Sequence, residues 1–192
     1  MLKYSQPKFY KFSEDSTQLA NLVIKDAPKG GSLLDICCGS GIVGIEISKG
    51  LNISRASFVE KQTDFKEHIE LNLSQFRTEN FSEVVVGDFI KIDMVEDFDI
   101  IVMNPPYFNR AHHRTSPNRN KDLCRAFDSG EISALVKKAL SLLTRKGSFY
   151  IVLRDNDALK EIDDAIKGIA EKRVLKRSKE VLFLRLRGLN KN

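Results

Sequence analysis

The feature that most restricts this chain is a regular alternation of short apolar runs with stretches of helical periodicity. Residues 32–37 (SLLDIC), 56–60, 83–86, 98–103 (FDIIVM) and 148–153 (SFYIVL) read as strands. Ile42, Ile45 and Ile47 follow the first run, and Phe65, Ile69, Leu73 and Phe76 recur at helical spacing after the second. Ile132, Leu135, Val136, Ala139 and Leu143 define another helix with Gly147 beyond its end. Residues 157–169 read as a further helix, and 174–178 with 181–186 as a closing pair of strands. FDIIVM is apolar enough to be buried on both faces, as parallel strands are. This alternation predicts an α/β fold, a mostly parallel seven-stranded sheet with helices on both faces. Ligands of such sheets lie beyond the carboxyl ends of the strands, where strand order reverses. The functional question therefore narrows to four places: the turn from Asp35 to Gly41, Glu60, Asp88 and Asn104.

The remaining bulk properties exclude more than they assign. A length of 192 residues fits one domain, and 42% hydrophobic residues suffice for a core without disulfides or a structural metal. The expected organisation is a single domain over 1–192, with residues 1–30 as an N-terminal segment and helix packed on the core. No apolar run approaches the ~20 residues that span a bilayer, and the polar start with Lys3 and Lys8 carries no signal core. Cys37, Cys38 and Cys124 cannot all pair, which points to a reduced, cytoplasmic chain. No CxxC pair is present, so no metal is expected. The net charge of +5 is too small to name a polyanionic partner by itself; clustering has to decide.

Each strand end carries a residue type with a definite chemical use. Asp35-Ile-Cys37-Cys-Gly39-Ser-Gly41 is a glycine turn that lets a ligand approach the backbone closely. Its spacing is not that of a phosphate-binding GxGxxG, and alone it is equally an ordinary strand-to-helix turn. Glu60 lies on the next strand, where an acid accepts hydrogen bonds from both ribose hydroxyls of a nucleoside, with Lys61 beside it. Asp88 can accept from an adenine amino group while Phe89 packs on the ring. Asn104-Pro105-Pro106-Tyr107-Phe108 is the strongest local signal. Two prolines remove two donors and stiffen the turn, which leaves the Asn104 side-chain oxygen and the Pro105 carbonyl as acceptors for an incoming –NH2 group. Holding both hydrogens bends the amine toward tetrahedral geometry and frees its lone pair. Tyr107 offers a face for a base to stack on.

These segments resemble the class I S-adenosylmethionine (AdoMet)-dependent methyltransferases, within them the NPPY amino-methyltransferases, and most closely the tRNA1(Val) adenine-N6-methyltransferase family. LLDICCGSG is similar to the first AdoMet motif, with Cys37 where that pattern usually has glycine. FVEK resembles the ribose segment, VVGDF the adenine segment and NPPYF the catalytic motif; FSEDS before an apolar helix and Arg125-Ala-Phe also look family-like. The resemblance implies a Rossmann-like class I fold and AdoMet as cofactor, with S-adenosyl-L-homocysteine as product. It implies cofactor binding by Asp35, Cys37, Gly39, Gly41, Glu60, Lys61, Asp88, Phe89 and Asn104. It further implies catalysis by Asn104, Pro105, Pro106 and Tyr107, and RNA, most closely tRNA, as partner. No general base is required, because a neutral amine attacks a sulfonium methyl and loses its proton afterwards.

The stretch from Asn109 to Arg125 reads as a long structureless loop rich in Arg110, His112, His113, Arg114, Arg119, Lys121 and Arg125, with Asp122 its one acid. Long loops beside a catalytic turn are usually functional. Arg110, His112, His113, Arg114 and Arg119, with Tyr107 and Phe108, are therefore the expected substrate contacts, the cations on phosphates. A second basic run at Lys172, Arg173, Lys176, Arg177 and Lys179 reads as solvated charge. The competing enzyme readings are a protein-glutamine N5-methyltransferase, which also uses NPPY but carries a helical domain before its first motif, and a guanine-N2 rRNA methyltransferase. A non-catalytic RNA- or AdoMet-binding protein is the alternative of a different class. The sequence leaves the oligomeric state open.

Overall fold

The computed structural model describes residues 3–112, 116–154 and 156–189. In chain order the elements are α1 (Glu14–Asp26), β1 (Ser32–Ile36), α2 (Ile42–Leu51), β2 (Arg55–Glu60), α3 (Lys66–Phe76), β3 (Ser82–Val86), β4 (Phe98–Met103), β5 (Phe108–Asn109), α4 (Arg119–Leu123), β6 (Ala126–Phe127), α5 (Glu131–Ser141), β7 (Leu143–Arg154), α6 (Asp157–Ile166), β8 (Ala170–Ser178) and β9 (Val181–Gly188). Among the described residues seven strands form one sheet in the order β3-β2-β1-β4-β7-β9-β8. β1 to β4 and β7 run parallel, and β9 lies antiparallel between β7 and β8. The chain winds outward from β1 through β3, then returns to lay β4 on the other side of β1. The reversal therefore falls between β1 and β4, the strands that end in the glycine turn and in Asn104.

Period-two alternation divides the core into two layers. Leu33, Ile100, Val102, Tyr150 and Val152 face α1, α2 and α3, where they meet Leu19, Val23, Ile45, Ile69 and Leu73. Their neighbours Leu34, Ile101, Met103, Phe149 and Ile151 face α5 and α6, against Ile132, Val136 and Ile162. FDIIVM is thus sandwiched as its composition predicts, and the mostly parallel seven-stranded fold stands.

Several details differ from the sequence reading: α5 ends at Ser141, so Leu143 belongs to no helix, α6 ends at Ile166 rather than 169, and β9 runs on to Gly188. β7 begins at Leu143, five residues early, because Leu143 pairs with Phe98 before an irregularity in register. β8 begins at Ala170 rather than 174. The loop after NPPY is not structureless: residues 110–112 form a 3-10 turn, Asn118 caps α4 by accepting from Lys121 N, and β5 pairs with β6 to close the loop at its base.

α1 packs Leu19, Ala20 and Val23 against the sheet and is tied at both ends. At its carboxyl end Asp26 Oδ2 accepts from Tyr150 OH (2.9 Å) and pairs with Arg185 (2.7 Å). Burial alone would raise the Asp26 carboxyl, but these two hydrogen bonds outweigh it and hold the group below its ordinary value.

Candidate active site

The four strand ends gather on one edge of the sheet. Between them opens a cavity of about 900 Å³, lined by Cys37, Gly39, Glu60, Lys61, Asp88, Phe89 and Asn104 among others. Asp35 sits behind it, lining a smaller pocket, and accepts from Gly44 N at 2.8 Å. Burial pushes its carboxyl up to about 8. Gly41 lines neither space; at φ +79° it shapes the turn into α2. Cys37 also has a left-handed backbone (φ +58°). That explains why glycine is usual there, since a side chain costs roughly 1–2 kcal/mol in this conformation.

Glu60 straps the glycine turn to β2. Its Oε2 accepts from Gly39 N and its Oε1 from Gln62 N, both at 2.9 Å. Burial raises its carboxyl against the pull of those backbone donors. Each oxygen keeps a second lone pair for a ligand hydroxyl. Lys61 bridges Asp88 (3.4 Å) and Glu131 (3.3 Å) at the cavity edge. Burial alone would lower its ammonium, but the two carboxylates outweigh it and raise it. Asp88 Oδ1 also accepts from Ile90 N, and Phe89 is buried with the Lys138 ammonium 5.0 Å over its ring.

The proline turn forms the wall between this Glu60 cavity and a second opening of about 1100 Å³ around Tyr107. Asn104, Tyr10 and Cys124 line both; Pro106 faces the first and Pro105 the second. Asn104 Nδ2 donates to Ser16 Oγ of α1 at 2.9 Å, which turns its carbonyl oxygen away from α1 with no partner among the described residues. Tyr107 OH donates to Asp15 Oδ2 (3.1 Å), and Asn156 Nδ2 donates to the Tyr107 carbonyl (2.8 Å). Burial raises the Tyr107 phenol, and that of Tyr10 to about 12. The turn is thus fixed from two sides, by α1 and by the cap of α6.

The expected substrate contacts divide. Phe108 lines the Tyr107 cavity, with the Arg125 and Arg154 guanidinium groups 5.8 and 5.4 Å from its ring centre. His112 and Arg119 are exposed and line neither cavity, and His113 and Arg114 lie outside the described residues. Arg110 does not point out toward a phosphate. Its guanidinium turns inward onto buried Asp122, onto Asp128 (2.9 Å) and onto the Ala126 carbonyl (3.1 Å), so two carboxylates already neutralise it. Asp122 in turn accepts from Ser116 N. Arg110→Ala should leave that carboxylate buried without its cation and destabilise the chain by about 2–3 kcal/mol, somewhat below the ~3–5 of a fully buried pair. Arg110→Lys should rescue little, because an ammonium cannot fork across three acceptors. Urea unfolding checks both, and an unchanged midpoint for the alanine variant would remove Arg110 as the loop's anchor.

Residues not singled out in the sequence complete the openings. Tyr10 stands between the two cavities, and Lys8, Lys11 and Arg154 join Lys121 and Arg125 around Tyr107. Only the aromatic pair Phe9-Tyr10 between lysines could have drawn attention to the first group. Burial raises all three cysteine thiols, and Cys124 donates to the Asn120 carbonyl while accepting from Gln62 Nε2. Among the described residues no group of three His, Cys, Asp or Glu could hold a metal, and no helix is long and apolar enough to cross a membrane.

Comparison with known proteins gives the same region a wider setting. The model of the methyltransferase small domain family matches residues 11–180. A tRNA1(Val) (adenine(37)-N6)-methyltransferase from Bacteroides thetaiotaomicron is 29% identical over 123 residues, 63% of this chain and 51% of that protein. A release factor glutamine methyltransferase from Borreliella burgdorferi is 31% identical over 78 residues, 41% of this chain and 27% of its own length. The chain spans about half the length, or less, of these curated relatives. In structure it is similar to precorrin-6y C5,15-methyltransferase from Geobacter metallireducens, with a TM-score of 0.66 at 13% identity over 97% of this chain and 94% of that one.

Proposed function

We propose, since the chain belongs to the methyltransferase small domain family, that it moves a methyl group from AdoMet to an exocyclic amine, N6 of an adenine in tRNA. The observation that carries this reading is the Asn104 amide, anchored through its nitrogen on Ser16 and standing in the wall shared by the two cavities. AdoMet supplies an electrophilic methyl on a sulfonium. The Glu60 cavity suits such a cation: Glu60, Asp88, Asp128 and Glu131 line it, and its cations Lys61 and Arg110 are both already paired. Glu60 would take the ribose hydroxyls, Asp88 the adenine amine and Phe89 the ring edge, with the Cys37–Gly41 turn laid close against the remainder.

On the other side of the wall, the Asn104 side-chain oxygen and the Pro105 carbonyl accept the two amine hydrogens. Their lone-pair demand turns the nitrogen toward the Glu60 cavity. The nitrogen so held would face the methyl that AdoMet supplies from that cavity, and the proton it sheds after transfer would leave to solvent. Tyr107, fixed by Asp15, presents its ring to the base. Adenine in tRNA is favoured over other amines by the relative from Bacteroides, whose match covers far more of the chain than that of the glutamine methyltransferase. A tRNA substrate would place the enzyme in the cytoplasm.

Incubation with methyl-labelled AdoMet and unmodified tRNA, followed by nucleoside mass spectrometry, should yield N6-methyladenosine at one position. Label in a glutamine-containing peptide and none in tRNA would move the protein-amide reading ahead.

A further inference from the structure

The two cavities that share Asn104 are opposite in charge. The Glu60 cavity is walled by carboxylates. Around Tyr107, by contrast, stand Lys8 and Lys11 of the N-terminal segment, Lys121 and Arg125 after the proline turn, and Arg154 at the end of β7. Asp15 is the one acid lining that opening, and its carboxylate is held by Tyr107 OH. Three segments remote in sequence therefore bring cations to one mouth. Lys8, Lys11 and Lys121 are exposed and have no carboxylate partner among the described residues. The aromatic side chains Phe9, Tyr10, Tyr107 and Phe108 line the same space.

We infer that Lys8-Phe9-Tyr10-Lys11 is a single-strand nucleic-acid-binding element that, with Lys121 and Arg125 opposite, takes the phosphates flanking a base splayed onto Tyr107. This rests on the proposed amino-methyl transfer and deepens it: the acceptor is an internal nucleotide of a single strand, neither a free nucleoside nor a peptide amide. Interleaved cations and aromatic faces are how proteins hold single strands, with charge tracking the backbone and rings taking the bases. The element is preorganised. Ser5 N donates to Asn72 Oδ1 at 2.7 Å, Asn72 Nδ2 donates to the carbonyls of Ser5 and Ser40, and Phe12 N donates to Gln6 Oε1 at 2.8 Å. The buried Asn72 thereby fixes the lysine segment to the glycine turn, so little order has to be created on binding.

The test uses a labelled heptanucleotide RNA with one central adenine, anisotropy over a range of salt, and calorimetric binding of S-adenosyl-L-homocysteine to each protein. Lys8→Gln/Lys11→Gln should bind the RNA roughly tenfold more weakly at 0.1 M salt, and its salt slope should flatten by about 1.4, the value for two lost single-strand phosphate contacts. Lys137→Gln/Arg145→Gln removes the same charge at the opposite end of β7 and should change neither. Homocysteine-product binding should be equal in all three proteins. Wild-type affinity and slope in the Lys8/Lys11 variant, or an equal loss in the Lys137/Arg145 variant, overturns the inference. So does failure of the wild-type protein to bind the RNA while it methylates a glutamine peptide. If the wild-type protein instead binds RNA but no S-adenosyl-L-homocysteine, the methyl-transfer reading fails and the single-strand element stands.

Discussion

Asn104→Ala is expected to cut single-turnover methyl transfer by roughly 10²–10³-fold, the scale of removing one preorganised polar group that acts on developing charge. In the proposed reaction the Asn104 oxygen would meet a neutral amine in the ground state and a nitrogen becoming cationic in the transition state, so its contribution would grow along the reaction. Its aim is set before substrate arrives, because Nδ2 is committed to Ser16 Oγ at 2.9 Å. AdoMet affinity should fall by no more than about tenfold, since the charged contacts proposed for the cofactor lie on Glu60 and Asp88, and loss of one neutral contact costs only ~0.5–1.5 kcal/mol. Ser16→Ala should reproduce part of the rate loss by freeing the amide to rotate. Rapid-quench measurement at saturating RNA separates these cases. A rate for Asn104→Ala within threefold of wild type would end its assignment as the amine acceptor.

Gly44→Ala should lower stability about as much as the loss of Arg110. A Cβ there would lie 2.5 Å from Phe58 Cε1, 3.0 Å from Cζ of the same ring and 2.9 Å from Asp35 Oδ2. Phe58 is fully buried in the α1–α2–α3 layer, so the ring has nowhere to move. α2 must lift from the sheet, which strains the hydrogen bond from Gly44 N to Asp35 and with it the glycine turn. Overpacking of this kind costs about 2–3 kcal/mol, or a fall in Tm of roughly 4–12 °C for a domain of this size. Gly168→Ala is a useful contrast: nothing lies within 4 Å of its Cβ, so only its positive φ opposes the change. A Gly44→Ala protein melting within about 2 °C of wild type would show that α2 does not press on Phe58.

What could be read from the sequence follows from where each signal resides. The ends of β4 were legible to the residue because FDIIVM is buried on both faces, and burial writes itself as an unbroken apolar run. The start of β7 was hidden because Thr144, Arg145 and Lys146 project from the sheet margin. The first half of β8 was hidden likewise: Glu171, Lys172 and Arg173 lie on an exposed edge strand, where charge guards against unwanted pairing. α4 had a readable cap in Asn118, but no apolar period followed it. The four strand ends do surround one cavity, since each is local to its own strand. Arg110 shows the limit of that logic. Counted as one cation among many, it looks free for phosphate, yet Asp122 and Asp128 are brought to it only by the closing of the loop. Lys8, Lys11 and Arg154 were beyond reach for the same reason, because what unites them is a tertiary opening and not a spacing.

The tethering of α1 at both ends bears on the order in which the molecule is made. The helix is made before every group that its ends hold, so at that stage they have nothing to hold. Ser16 waits 88 residues for Asn104 and Asp15 waits 92 for Tyr107; Asp26 waits 124 for Tyr150 and 159 for Arg185. Closures of that span carry the largest chain-entropy cost and form late. The bond between Ser16 and the proposed amine acceptor Asn104 therefore cannot form until the chain has reached the end of β4. A nascent chain stalled before β9 would leave the far end of the helix that braces Asn104 without its arginine.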